Sequence, residues 1–224
     1  MSINFTELRQ KMVDNQIRTV DVTSFSVLSA FLTVPREEFV PQNAKELSYI
    51  DENIIITPAK SNEAARYLMS PAALARLVQL ADISKDDFVL DIGAGTGYGS
   101  AILSHLANAV IALESNCSLI QIATRAFAAA NCENITFVRD VLTKGCEVQA
   151  PYDVILIEGS ADFIPKILFK QLCEGGRLVV VEGCGNAGKA CLYIRKDDVV
   201  SKWHNFNLAI KPLPGFLKKE EFTF

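Results

Sequence analysis

The sequence predicts an α/β fold: a mostly parallel, seven-stranded sheet that ends in an antiparallel hairpin and follows an N-terminal helical extension. Three observations carry this reading. From Asp87 onward, short apolar runs alternate with amphipathic stretches, the pattern of parallel strands covered by helices. A glycine loop, Gly93-Ala94-Gly95-Thr96-Gly97, follows the first of these runs and opens directly into a helical pattern. Near the end, the turn-like Lys196-Asp197-Asp198 lies between the last two runs, with no helical pattern to cross over.

Residues 1–80 read as mostly helical and as a segment that covers the cofactor and substrate, with residues 81–224 forming the sheet domain. Helices are expected near 5–17 and 24–32, the second ending at Val34-Pro35, because a proline holds the residue before it extended. The apolar run Ile54-Ile55-Ile56 stops at Thr57-Pro58. Ser70-Pro71 then opens a helix through Leu80, with serine as N-cap and proline at the first helical position. Strands are expected at 87–92, 109–114, 135–139, 153–158 and 176–182, and helices at 97–107, 117–130 and 163–173. Ala190 to Ile194 and Trp203 to Ile210 form the closing hairpin on the sheet edge.

Composition narrows the function. The 224 residues are 50% hydrophobic and 21% charged, enough for one large core. A formal net charge of −4 argues against a general binder of nucleic-acid backbone. Lys218-Lys219 beside Glu220-Glu221 reads as a solvated face. The six cysteines contain no C-x-x-C pair, and only His105 and His204 are on hand to assist them, so neither a zinc site nor a disulfide framework is expected. The start lacks a basic and apolar leader, and no run of about 18 apolar residues occurs. The expectation is a cytoplasmic protein with reduced thiols, no membrane partner and no metal; oligomeric state is not legible. In the tail, Phe222 and Phe224 are expected to pack back onto the domain.

The glycine loop narrows the ligand. A dinucleotide fingerprint, G-x-G-x-x-G, needs its third glycine at 98, where Tyr98 stands. Asp91, just before the loop, suits a cationic ligand better than a pyrophosphate. S-adenosylmethionine carries an amino group and a sulfonium and no phosphate, so it fits both facts. Glu114 ends the next strand, where a carboxylate can accept from both ribose hydroxyls, and Asp140 ends the third, within reach of an adenine amino group. The candidate cofactor site is Asp91, Gly93, Ala94, Gly95, Thr96, Gly97 and Tyr98, with Glu114 and Ser115, Asp140 and Val141, and Glu158.

At these residues the chain resembles the class I S-adenosylmethionine-dependent methyltransferases, a Rossmann-like fold, and more narrowly the protein-L-isoaspartate O-methyltransferase family. Met12-Val13-Asp14-Asn15-Gln16-Ile17 and Val34-Pro35-Arg36-Glu37-Glu38-Phe39-Val40-Pro41 are similar to that family's N-terminal signature. Tyr49-Ile50-Asp51, Pro151-Tyr152-Asp153-Val154-Ile155-Leu156, Pro165-Lys166-Ile167-Leu168 and Gln171-Leu172-Cys173-Glu174-Gly175-Gly176-Arg177 follow in the same order. The resemblance implies methylation of L-isoaspartyl residues in damaged proteins.

One segment departs from it. The family carries G-Q-T-I-S-Q-P, where this chain has Ala65-Arg66-Tyr67-Leu68-Met69-Ser70-Pro71, so Met69 stands at the serine usually assigned to catalysis. Ser70 is the candidate catalytic residue, at a helix N-terminus whose free N–H groups favour an anion. Arg66 is a candidate to pair with a substrate carboxylate, and Tyr67 and Met69 make the wall bulkier and more apolar. Two other readings stay open: a methyltransferase of the same build acting on a small carboxylate, a phenol or another protein, and a non-catalytic cofactor-binding module.

Overall fold

The computed structural model describes residues 3–61 and 64–218. Seven strands form one sheet in the order β5-β4-β3-β6-β7-β8-β9, where β3 is Phe88–Ile92, β4 Ala109–Glu114, β5 Ile135–Arg139, β6 Tyr152–Ala161, β7 Leu172–Glu182, β8 Lys189–Lys196 and β9 Val199–Asn207. Strands β5 to β7 run parallel, and β8 and β9 return antiparallel at the edge. The β8–β9 turn is built on Asp197 and Asp198, both left-handed (φ 50° and 61°), the primed turn that suits a two-residue hairpin.

Period-2 alternation divides the core. Val89, Val110, Val154 and Val179 face the helices α3 (Pro71–Ala81), α4 (Tyr98–Ser104) and α5 (Cys117–Ala129) and the N-terminal segment, while Leu90, Ile111, Ile155 and Leu178 face the other side. That second face carries less helix. The expected helix at 163–173 is only α6, Lys166–Lys170, because β7 already begins at Leu172 and the Gln171 side chain is buried bridging Cys146 and Lys144. Leu213 and Phe216 of the tail complete the cover.

The N-terminal segment departs from the expectation of mostly helix. It contains a hairpin, β1 (Ile54–Thr57) paired antiparallel with β2 (Arg66–Leu68), which β-branched Ile54-Ile55-Ile56 favour. The expected helix at 5–17 is α1 (Phe5–Met12) followed by a π turn over Val13–Ile17. This stretch buries Met12, Val13 and Ile17 in the core. Helix α2 spans Phe25–Thr33, capped by Ser24. Phe222, Phe224, Lys219, Glu220 and Glu221 lie outside the described residues. Among the described residues no helix is long and apolar enough to cross a membrane, and no group of three or more His, Cys, Asp or Glu is placed to hold a metal ion.

Candidate cofactor and active site

Strand β3 delivers the chain to the glycine loop at the carboxyl ends of the parallel strands, where ligands bind in such sheets. Gly93, Gly95 and Gly97 have φ of 85°, 58° and 92°, a region costly for any side chain. Gly93 and Ala94 donate to Leu113 O at 2.9 and 3.2 Å, fastening the loop to the end of β4, and Gly97 donates to Ala94 O at 2.8 Å to enter α4. The loop is also closely packed. A Cβ at Gly93 would stand 2.7 Å from Leu213, and one at Gly95 2.8 Å from Ile56.

Glu114 ends β4, fully buried. Its Oε1 accepts from Arg66 Nη1 at 2.8 Å and from the N–H groups of Ser115 and Asn116 at 2.7 and 2.9 Å. Its Oε2 accepts from Arg66 Nη2 at 2.8 Å and from Gly95 N–H at 2.9 Å. Arg66 therefore pairs bidentately with a carboxylate of its own chain rather than with that of a substrate, and it also donates to Gly93 O at 3.1 Å.

Asp91 does not face the ligand side as an exposed counter-charge. It is buried beneath the loop, where Ser100 donates to its Oδ2. Burial pushes its carboxyl up to about 6. Glu158, in an irregularity of β6 between Leu156 and Ser160, turns its Oε1 inward to within 1.8 Å of where a Gly99 Cβ would be. Burial first, and the neighbouring Asp91 second, raise the Glu158 carboxyl well above the usual carboxylate range. Asp91 Oδ1 and Glu158 Oε1 are the buried oxygens of this pair without a partner, and one proton held between the two carboxyls satisfies both. Tyr98 also points away from the loop: its ring lies 6.0 Å from Phe31 and 5.6 Å from Phe39, with the Arg36 guanidinium 4.6 Å above it. Only its backbone, and that of the buried Thr96, can serve a ligand directly, except that Thr96 Oγ1 lacks a partner among the described residues.

Beyond Glu114 the surface opens. A cavity of about 470 Å³ is lined by Arg66, Ser115, Asn116, Arg139 and Pro214 among others, and an adjoining one of about 370 Å³ by Ser115, Arg139, Asp140 and Val141. Ser115, Asp140 and Val141 are exposed there. The structure thus brings Ser115, Asp140 and Val141 to one concavity beside the buried Glu114, with the glycine loop behind Arg66 and Leu213.

Ser70 occupies the N-cap position of α3, but its hydroxyl makes no capping bond. Asp51 accepts from Ala72 N–H at 3.1 Å instead, so an anion of the chain already sits at this helix terminus, and Asn53 accepts from Ser70 N–H at 3.3 Å. The Met69 side chain is buried. Sequence reasoning missed Arg36, which is wholly buried and donates to Ser48 O and Met69 O at 2.7 Å each, tying the 34–41 segment to 69–71. Its signal was a cation between two prolines, in a run with apolar residues at both ends. It also missed the Arg9–Glu37–Tyr49 cluster, where Arg9 pairs with Glu37 at 3.1 Å and Tyr49 donates to Glu37.

The family model described as protein-L-isoaspartate(D-aspartate) O-methyltransferase matches residues 7–207. A protein-L-isoaspartate O-methyltransferase of Koribacter versatilis is 34% identical over 175 residues, 78% of this chain and 76% of that one. One of Desulfotalea psychrophila is 33% identical over 180 residues, covering 80% and 81% of the two chains. A solved protein-L-isoaspartate O-methyltransferase superposes with a TM-score of 0.79 at 27% identity over 92% of this chain; the chain spans 66% of that longer protein. A Plasmodium falciparum structure described as a putative enzyme of the same name, in complex with S-adenosyl-L-homocysteine, has the same fold, with a TM-score of 0.75 at 18% identity.

Proposed function

The chain belongs to the protein-L-isoaspartate(D-aspartate) O-methyltransferase family, and from that premise we propose that it is an S-adenosylmethionine-dependent O-methyltransferase acting on L-isoaspartyl residues of damaged proteins. The observation that carries the reading is the family match over residues 7–207, joined to a left-handed glycine loop and a strand-end carboxylate at the carboxyl edge of the sheet.

The residues present fit the cofactor. Thr96 Oγ1 is an orphaned buried hydroxyl in the loop, and Asp140 and Val141 line an open concavity next to Glu114. Glu114 would hold the ribose hydroxyls, residues 93–98 would support the amino-acid end through backbone groups, and Asp140 with Val141 would take the adenine. Asp91 and Glu158 would act from beneath the loop, as a buried acid pair that fixes its shape. Bound there, the cofactor supplies an electrophilic methyl group.

An isoaspartyl carboxylate is already a nucleophile at neutral pH, so the chain needs no strong base. Its work is to orient the acceptor and exclude water, and orientation contributes roughly 7–11 kcal/mol in such reactions. The Ser70 hydroxyl, not committed to capping, would position the acceptor. Residues 1–80 would cover the site, an assignment supported by the core they share with the sheet through Met12, Phe31, Leu74 and Val89. Incubation with methyl-labelled S-adenosylmethionine and an isoaspartyl peptide tests the reading. A base-labile methyl ester on the peptide, and none on the aspartyl isomer, is the expected result; a folded protein that yields no ester contradicts it.

A further inference from the structure

We propose that Arg66 is a displaceable plug in the cofactor cradle, and that its release from Glu114 sets how tightly this chain holds S-adenosylmethionine. The inference rests on the cofactor reading above and concerns what that ligand meets on arrival.

The first observation is a count of donors. An ionised carboxylate offers about four acceptor positions. Glu114 already receives two N–H groups from Arg66, one each from Gly95, Ser115 and Asn116, and a long contact from the Ser115 hydroxyl at 3.3 Å. Nothing is left for a ribose diol. The three backbone donors belong to the fold and stay. The two from Arg66 lie at 2.8 Å each in the fork geometry that a vicinal diol would otherwise occupy, so the guanidinium stands where the diol must go.

A second observation concerns what Arg66 holds besides Glu114. Its Nη2 also donates to Gly93 O, so one side chain joins the β1–β2 hairpin, the glycine loop and the end of β4. The C-terminal tail adds a further cover. The tail runs along the end of β6, with Ser160 N–H donating to Lys211 O and Leu213 N–H to Ser160 O, each at 3.0 Å. This seats the Leu213 side chain against Gly93 and Gly159. Lys211 Nζ then lies 5.3 Å over the ring of Tyr67, the residue after Arg66, so hairpin and tail meet across the loop.

A plug needs somewhere to go. Arg66 lines the cavity of about 470 Å³ outside Glu114, so its guanidinium can leave the pair for that space without unfolding the hairpin. Release is unfavourable for the protein alone, because it gives up a charge-assisted bidentate pair, and the ligand returns only hydrogen bonds from neutral hydroxyls. Apparent affinity is then the intrinsic affinity reduced by the fraction of molecules with Arg66 released.

Calorimetry with S-adenosylhomocysteine on the full chain and on Arg66→Gln tests this without any methyl acceptor. Glutamine cannot make the fork and carries no charge, while Glu114 keeps its three backbone donors. The expected result is at least tenfold tighter binding by R66Q than by the native chain, with Arg66→Ala behaving like R66Q. Equal or weaker binding by R66Q overturns the plug while leaving the cofactor reading intact. No binding by native or variant overturns both. If R66Q loses its cooperative melt, Arg66→Lys, which keeps the charge and loses the fork, carries the comparison: a several-fold gain supports the plug, and none overturns it.

Discussion

Arg66 and Glu114 meet through two parallel N–H···O bonds of 2.8 Å, with 7% and 0% of their side chains exposed, and they connect two parts of the chain 48 residues apart. Removing the carboxylate leaves a buried guanidinium without its counter-charge. Glu114→Gln is therefore expected to lower unfolding stability by about 3–5 kcal/mol. Removing the arginine costs less, because Gly95, Ser115 and Asn116 still donate to Glu114. Urea unfolding of E114Q and R66Q checks the order as well as the size.

The Asp91–Glu158 pair predicts a pH dependence of opposite sign to that of ordinary salt-bridged acids. Both carboxyls are raised by burial, so the folded chain binds protons more tightly than the unfolded one. Their contribution is fully present at low pH and is lost as pH rises, from the ordinary 3.8 through about 6 for Asp91 and through the raised range of Glu158. Glu158→Gln, which can still donate to Asp91, is expected to gain stability relative to the native chain as pH goes from 5 to 8. Parallel stability curves for the two proteins would refute the shared proton.

Gly93 combines a left-handed backbone with a neighbour 2.7 Å from any Cβ. Gly93→Ala is expected to cost about 1–3 kcal/mol, with a larger loss in cofactor binding than in stability. Adding Leu213→Ala removes the steric part and leaves the dihedral part, so the double variant recovers only some of the loss. Thermal melts with and without S-adenosylhomocysteine separate the two.

Ser70 supplies an N-cap backbone and no capping side chain. Ser70→Ala should leave stability within about 0.5 kcal/mol of native. Methyl transfer to an isoaspartyl peptide should nevertheless fall at least tenfold, through kcat, if the hydroxyl positions the acceptor. Steady-state kinetics beside a melting curve decide it; unchanged kcat would remove Ser70 from the mechanism.

The sheet was legible because its signals are local. Apolar runs of five or six residues, glycines at every second position and Asp197-Asp198 each dictate their own backbone. The β1–β2 hairpin was hidden because Arg66-Tyr67-Leu68 has no strand signature without its partner Ile54-Ile55-Ile56, and α6 was overestimated because a helical pattern does not show where β7 takes over. At the site, strand-end positions located Glu114 and Asp140, since topology puts those ends together. What each acid touches was not legible: that Glu114 would meet Arg66, or Asp91 meet Glu158, depends on long-range packing that no spacing encodes.

In the proposed mechanism the cofactor binds at Glu114 beside the glycine loop in exchange for Arg66. A crystal structure of the native chain with S-adenosylhomocysteine tests it most directly. The ribose hydroxyls are expected on the Glu114 carboxylate, with the Arg66 guanidinium displaced into the outer cavity. A bound ligand with the Arg66–Glu114 pair intact would contradict it.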